Sequence, residues 1–259
     1  MALQCSSINT LTRRSMKLLF DGDHISYRAA ASCSPTKLKP YLEPKEAAIA
    51  RADSMMHQIF QETGIFDFEF YLGGEGNWRK EIYPEYKANR KDIPRPVWLE
   101  DVREFLVTTW KAEVVNDKEV DDVCGIRLTE EGSQAICVSL DKDLLTVPGV
   151  HYNFVKKVYQ SVDKRQALRY FYQQLITGDA SDNVPAFDGK LRNKQPMFVE
   201  ALLIPIQEMY DEVEMYKYCL QVWNNDIEMM HRNAQVLYIQ KYEGDKWQPP
   251  GRKAENELS

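Results

Sequence analysis

No stretch of this 259-residue sequence approaches the roughly 20 apolar residues that a membrane-spanning helix requires. The opening MALQCSSINTLTRRSM lacks the continuous apolar segment of a secretory signal, so neither insertion nor export is expected. Cysteine is sparse: Cys5, Cys33, Cys124, Cys137 and Cys219 are odd in number and show no CxxC spacing, which argues against a disulfide framework and a thiolate zinc site. A reducing cytoplasm is the expected home. The chain also lacks internal repeats and any excess of positive charge, with 33 Lys and Arg against 39 Asp and Glu and a formal net charge of −6. That balance excludes a uniformly basic binder of polyanions but leaves a local basic site open.

At 44% hydrophobic residues, the sequence can bury a core in one domain, with or without a small helical addition. Acids recur in it after apolar runs: Asp21 follows KLLF, Asp141 and Asp143 follow QAICVSL, and Asp179 and Asp182 follow FYQQLIT and Gly178. A further set, Glu119, Asp121 and Asp122, opens an apolar-periodic stretch. If the runs end at one edge of a sheet, the eight carboxylates converge there and repel one another unless cations neutralise them. Hard oxygen donors select Mg²⁺ or Mn²⁺, in two or more ions. Setting those eight acids aside leaves the rest of the chain at plus two.

The coarse pattern is α/β with a mostly parallel sheet. Residues 17–21 read as a strand, 44–63 as a helix with Ala48, Ala52, Met55 and Ile59 on one face, and 66–72 as a second strand. A Gly- and Pro-bearing segment leads to helical periodicity through Trp98, Val102, Phe105, Leu106 and Thr109. Strands near 112–116 and 134–140 flank a helix with Val120, Val123, Cys124 and Arg127. A helix over 163–177 turns Ala167, Leu168, Phe171, Gln174 and Leu175 inward. Residues 197–240 read as mostly helical, broken at Pro205, with methionines that pack a core rather than serve a partner. In an open parallel sheet, ligands bind at the carboxyl ends of the strands. Asp141 and Asp143, two apart, point the same way if their segment is extended.

In order along the chain, LLFDGDHISYRAA, YPEYKANR, EVDDV, SLDKDLL and GDASDNVP resemble the 5′-nuclease family: the 5′-to-3′ exonuclease domain of DNA polymerase I, bacteriophage 5′-exonucleases and flap endonucleases. The similarity covers about residues 17–190 and is greatest to the freestanding phage-type enzymes. It implies a PIN-like 5′-nuclease fold with a helical arch and a mostly helical C-terminal region. Residues 1–16 are expected to be a flexible extension, 17–185 the catalytic domain, 186–242 a helical DNA-binding region and 243–259 a disordered tail. Asp21, Glu119, Asp121 and Asp122 would hold mainly one metal, and Asp141, Asp143, Asp179 and Asp182 mainly the other. Two such ions would activate a water and stabilise the leaving 3′-oxygen without a protein nucleophile. Asp23, where the family has a neutral residue, would be a supporting residue or a helix cap, and the motif around Tyr27 and Arg28 a turn.

The segment NWRKEIYPEYKANRKDIPRP, with six Lys and Arg against three acids, is similar to the family's arch. By that resemblance Lys87 and Arg90 face the reacting phosphate as catalytic cations, Tyr86 stacks on a terminal base, and Arg28 and Arg79 contact phosphates. The substrate would be DNA with a 5′ end, flap or nick, or an RNA–DNA hybrid, cut by a monomer with no membrane partner, in the host cytoplasm if phage-encoded. Two departures stand out. Gly73 and Gly74 occupy the place of the family's Asp after the second strand, with Glu75 the nearest acid, so an additional water ligand is expected. The Gly-x-Gly hairpin that holds a potassium ion keeps only Gly189, which leaves K⁺ open and passes duplex gripping to Lys190, Arg192 and Lys194. Two rival readings are a haloacid-dehalogenase-type phosphatase, with Asp21 as nucleophile and Asp23 as acid, and a non-catalytic nucleic-acid-binding protein on the same fold.

Overall fold

A computed structural model describes residues 16–251, which divide into two compact units. The first takes in the chain up to residue 75, then 95–141 and 149–161. The second takes in 76–94, 142–148 and the chain from 162 onward. The chain therefore passes between units repeatedly, whereas the sequence places one boundary near 185.

The first unit is built on a six-stranded sheet in the order β3-β2-β1-β4-β5-β6. Its strands are β1 Lys17–Asp21, β2 Asp67–Gly73, β3 Glu113–Val115, β4 Ala135–Val138, β5 Gly149–Asn153 and β6 Val158–Val162. The pairs β1–β2, β1–β4, β2–β3 and β4–β5 are parallel. Leu18, Leu19 and Phe20 are fully buried, as befits a central strand covered on both faces. Strands β5 and β6 have no counterpart in the sequence reading, because five-residue runs such as VYQSV, exposed up to Val162, carry little periodic signal.

Helix α1, Gly22–Cys33, starts directly after β1, where the sequence suggests a turn. A Cβ on Gly22 would meet the Tyr71 carbonyl oxygen at 2.5 Å, so glycine allows the strand to pass into a helix without a loop. Helix α2, Lys45–Thr63, buries Ala48, Ala52, Met56 and Ile59; Met56 takes the core place expected of Met55. Gly64 ends it in the left-handed region at φ 68°, donating its N–H to Phe60 O. Next in order come a single turn α3, Arg79–Ile82, in the second unit, then α4, Leu99–Trp110, and α5, Val120–Glu131, in the first.

A charged cluster fastens β2 to its neighbours. Glu69 takes a two-pronged hydrogen bond from Arg127 on α5 at 2.8 Å and one from Lys17 on β1 at 2.7 Å. The Arg127 hydrogen bonds hold the Glu69 carboxyl at about 2, against the opposing effect of burial. Its folded-state pKa lies below the ordinary glutamate value, so the stability it contributes is full above about pH 4.5 and lost as pH falls toward 2. Glu69→Gln is expected to cost roughly 1 kcal/mol at pH 7 once solvent screening is allowed for. Urea midpoints measured from pH 7 to 2.5 should show that deficit shrinking below pH 4.5; a constant deficit would refute the assignment.

The second unit is helical: α6 Lys164–Thr177, α7 Met197–Glu208, α8 Glu212–Val222 and α9 Ile227–Leu237, with α3 packed on α9. An Asp163–Gln166 capping box starts α6. Met215 and Met230 are fully buried beside Phe171, Tyr172 and Trp223, in keeping with methionine as core filler. Pro205 lies inside α7 rather than ending it, since the N–H it lacks would donate to the carbonyl of exposed Ala201, which can meet water instead. The tail expected from 243 begins later, because Trp247 is 2% exposed and packs near Phe171, Tyr216 and His231. Residues 1–15 and 252–259, where the flexible extension and the rest of the tail were expected, lie outside the described residues.

Candidate active site

In the sheet unit, β1 has β2 on one side and β4 on the other, so the winding direction changes between β1 and β4. Such switch points open a crevice at the strands' carboxyl ends. Asp21 ends β1 there, only 2% exposed. Its Oδ2 accepts a 2.7 Å hydrogen bond from Ser139 Oγ, just past β4, and pairs with His24 Nδ1 from the first turn of α1. Ser139 Oγ in turn accepts from the Asp141 N–H at 2.9 Å, so one hydroxyl joins the two strand-end acids. Burial works against charge on Asp21, but the His24 and Ser139 contacts outweigh it and hold the carboxyl below its ordinary value. Burial likewise disfavours the charged imidazole of His24, and the Asp21 contact prevails to raise it.

At the start of α5, Glu119 and Asp122 form a capping box, each side chain accepting the other's backbone N–H. Capping thus accounts for two of the three acids there, Asp122 being fully buried. Asp23 is neither a cap nor placed as an acid beside Asp21. It accepts from the Gly73 N–H at 3.2 Å and from Arg103 at 2.5 Å, while Arg103 also donates to the Gly73 carbonyl. A Cβ on Gly73 would stand 2.7 Å from Asp23 Oδ2, so the space beyond β2 is filled by the Asp23 carboxylate.

The DKD segment is not extended. Lys142 is helical at φ −68°, ψ −22°, and Asp143 opens a 3-10 turn, Asp143–Thr146, so the extended backbone on which the D-x-D expectation rests is absent. In the helical unit, Lys142 Nζ lies 2.6 Å from Asp143 Oδ1 and 3.0 Å from Asp179 Oδ2. Desolvation would lower its pKa, and the two carboxylates outweigh that and raise it. Asp179 uses Oδ1 to brace its own turn, accepting from the N–H of Ser181 at 2.8 Å and of Asp182 at 3.2 Å. Its burial opposes ionisation, but the Ser181 and Lys142 contacts hold the carboxyl below its ordinary value.

The basic segment departs from its expected roles at two residues. Arg79 is 1% exposed, with Nε donating to Val236 O at 2.9 Å and Nη2 to Tyr238 O at 2.7 Å; it is a structural tie, not a phosphate contact. Tyr86 is 3% exposed and donates its hydroxyl to Asp182 at 2.7 Å, so it is not poised to stack on a base. Lys87 and Arg90 do not share a helix face, since Lys87 is left-handed at φ 57° and only Ala88–Arg90 form a 3-10 turn. Both nevertheless reach one carboxylate, that of Asp182. Arg28 is exposed on α1 and lines a cleft of about 260 Å³ with Gln58 and Lys157. Arg192 is paired through two nitrogens with Asp188, while Lys190 and Lys194 are exposed.

Among the described residues, no three His, Cys, Asp or Glu side chains lie grouped as a ready metal site. The acids instead hold protein cations and N–H or O–H donors. The donor set still suits a hard divalent ion, and the Lys142 ammonium between Asp143 and Asp179 is a stand-in cation of the protein's own. The described cysteines Cys33, Cys124, Cys137 and Cys219 are buried free thiols. Sequence reasoning missed His24, Ser139, Lys142 and Arg103. Three carry a signal in hindsight: His24 stands one helical turn from Asp21, Ser139 two residues before Asp141, and Lys142 inside DKD.

Residues 16–174 match the model of the family described as "5'-3' exonuclease, N-terminal resolvase-like domain". Among curated proteins, the flap endonuclease Xni of Shewanella piezotolerans is 28% identical over 166 residues, 57% of this chain and 65% of that protein. The exonuclease of Escherichia phage T7 is 29% identical over 126 residues, 44% of this chain and 40% of its own. The chain spans about half to two thirds of the length of the first curated relatives it matches. Among solved structures, T5 5′-exonuclease with bound zinc superposes with a TM-score of 0.62 at 17% identity, covering 85% of this chain and 88% of that one. A bacteriophage T5 flap endonuclease complex with DNA and metal ions gives 0.59 at the same identity and coverage. At that identity the likeness speaks for the fold.

Proposed function

The chain belongs to the 5′-3′ exonuclease, N-terminal resolvase-like domain family, and on that footing we propose that it is a divalent-metal-dependent 5′-nuclease that hydrolyses phosphodiester bonds of DNA at 5′ ends, flaps or nicks. The observation that carries the proposal is the Lys142 ammonium seated between Asp143 and Asp179, a cation where the chemistry calls for one. Relatives named flap endonuclease and 5′-3′ exonuclease support the same class of reaction. The phosphatase reading falls with the family match and with Asp23, whose carboxylate is committed to Gly73 and Arg103.

We assign cation binding to Asp21, Glu119, Asp121, Asp122 and Asp141 in the sheet unit and to Asp143, Asp179 and Asp182 in the helical unit. Mg²⁺ or Mn²⁺ bound there would supply Lewis acidity toward the phosphate and lower the pKa of a water. The chain's own residues do the rest. Ser139 and His24 fix the orientation of the Asp21 carboxylate, and the turn amides fix that of Asp179. Lys87 and Arg90 supply positive charge to the scissile phosphate, Arg28 holds the strand, and Lys190, Lys194 and Arg192 meet duplex backbone from residues 186–242. A monomer acting in the cytoplasm completes the proposal; among the described residues no helix is long and apolar enough to cross a membrane. RNA–DNA hybrids are a second substrate to test, and a potassium site near Gly189 has no support beyond that residue.

Incubation with 5′-labelled duplex, nicked and flap DNA is expected to release mononucleotides or short oligonucleotides from the 5′ side with Mg²⁺ or Mn²⁺, and nothing with chelator. Digestion from 3′ ends would sink the proposal.

A further inference from the structure

Strand β3 is too short to cover its neighbour. It pairs only with Tyr71–Gly73, whereas β2 begins at Asp67 and pairs with β1 from that residue on. Helix α4 sets the limit: Lys111 ends it in the left-handed region at φ 56° and delivers the chain to the sheet edge at Glu113, level with Tyr71. Among the described residues no strand therefore lies beside Asp67–Phe70 on the side away from β1. A cleft of about 590 Å³ opens there between the end of α4 and the side of α5, walled by Phe68, Phe70, Trp110, Val123 and Arg127. Its two faces differ. Phe68 and Phe70 point to one face of the sheet, where both rings meet Phe20 and Phe68 meets Trp110. Asp67, Glu69 and Tyr71 point to the other, beside α5, and that face is acidic. Its Arg127 is already paired with Glu69, Glu130 and Glu131. Asp67 and Glu113, one at each end of the opening, are exposed and form no ion pair among the described residues. Lys111, next to Glu113 in space and sequence, donates its ammonium to Thr108 O at 2.7 Å.

Strand backbone paired on one side alone is a template for another strand, and the stretch DFEF carries neither the lysine nor the proline that commonly blocks one. We propose that this opening is a docking site for an extended segment of a partner protein, about four residues or 13 Å long, with apolar side chains at alternate positions and Lys or Arg between them. Pairing of main-chain amides with β2 supplies affinity, and the alternation supplies specificity. Apolar residues beside Phe68 and Phe70 fall against the wall that Trp110 completes, while basic residues beside Asp67 and Glu69 meet the acids of the other face. The site lies at the amino end of the sheet, where Asp67 is level with Lys17; Asp21 ends the same strand at the opposite edge. An occupant therefore leaves the strand-end crevice free, and the docking site stands or falls independently of the 5′-nuclease reading.

Fluorescence polarisation of the full chain with three labelled hexapeptides tests the proposal: alternating lysine and valine, alternating glutamate and valine, and a block of lysines followed by a block of valines. The alternating lysine peptide is expected to bind at least about fivefold more tightly than either of the others. The block peptide controls for charge without pattern, and the glutamate peptide for pattern without charge. Hydrogen exchange of the complex should slow at amides within Asp67–Phe70. Asp67→Lys/Glu113→Lys, at two exposed positions, should reverse the order of the two alternating peptides. No binding, equal binding of the two lysine peptides, protection at other amides alone, or an order unchanged by the double substitution overturns the proposal. So does a protein that takes the peptide only after residues 1–15 are removed, or that pairs with a second copy through this edge, since the occupant is then the chain itself.

Discussion

Asp21→Asn is expected to lower turnover by at least about a hundredfold, which corresponds to about 2.7 kcal/mol of lost charge stabilisation. The replacement is nearly isosteric, and its amide oxygen can still accept from Ser139 Oγ, so the end of β1 keeps its hydrogen bond. What it loses is the buried negative charge, and His24 loses the carboxylate that raises its pKa. Binding of DNA in chelator should be unchanged or tighter, because one negative charge leaves the site. The two readouts together identify the role: a residue needed for structure would weaken both, whereas a metal-holding acid separates them. Single-turnover rates across a Mg²⁺ titration, with equilibrium binding on the same substrate, decide it; wild-type turnover in the variant would remove Asp21 from the site.

Lys87→Ala is expected to slow saturating single-turnover cleavage by more than about tenfold, a cost of about 1.4 kcal/mol, with a smaller change in binding. The side chain lies against the Tyr86 ring, its Nζ 5.1 Å from the ring centre, and 3.5 Å from Asp182, held by neighbours rather than waving in solvent. A cation fixed in that way costs little further ordering when a phosphate arrives, which favours catalysis over mere attraction. Arg90→Ala should act in the same direction. Because both cations meet one carboxylate, the double variant should fall short of the product of the two effects. Near-normal rates with weaker, strongly salt-dependent binding would make the segment a non-specific clamp on the phosphate backbone.

The parts of the molecule legible in the sequence are those set by local pattern. β1 was read to the residue because KLLF is a continuous apolar run ending in an acid, and α2, α5 and α6 because their apolar spacing repeats every third or fourth position. The position of the DKD and GDASDN acids after apolar runs is legible in the sequence, but the direction of each acid is not, since it depends on the backbone of single residues. Lys142 in a helical conformation breaks the extended geometry that the D-x-D reading depends on. Long-range partners were invisible for the same reason. Nothing near Tyr86 announces Asp182, 96 positions away, and nothing near Arg79 announces carbonyls about 160 positions downstream. Aromatic and basic residues in one exposed-looking stretch read as a binding surface, and two of them, Tyr86 and Arg79, were drawn into the helical core instead.

The burial of Arg79 makes the end of the chain part of the machinery at its middle. Its guanidinium closes on the carbonyls of Val236, in the last turn of α9, and of Tyr238, the residue after it, and its neighbour Trp78 has Lys246 over its ring. A chain cut short before Val236 would keep every acid and every cation assigned to the reaction, yet it would take two carbonyl acceptors from the Arg79 guanidinium. The loosened part would be the anchorage of the basic segment itself. Truncation at the C-terminus therefore reaches the basic segment as surely as a substitution within it, and residues 236–247 act as its buttress.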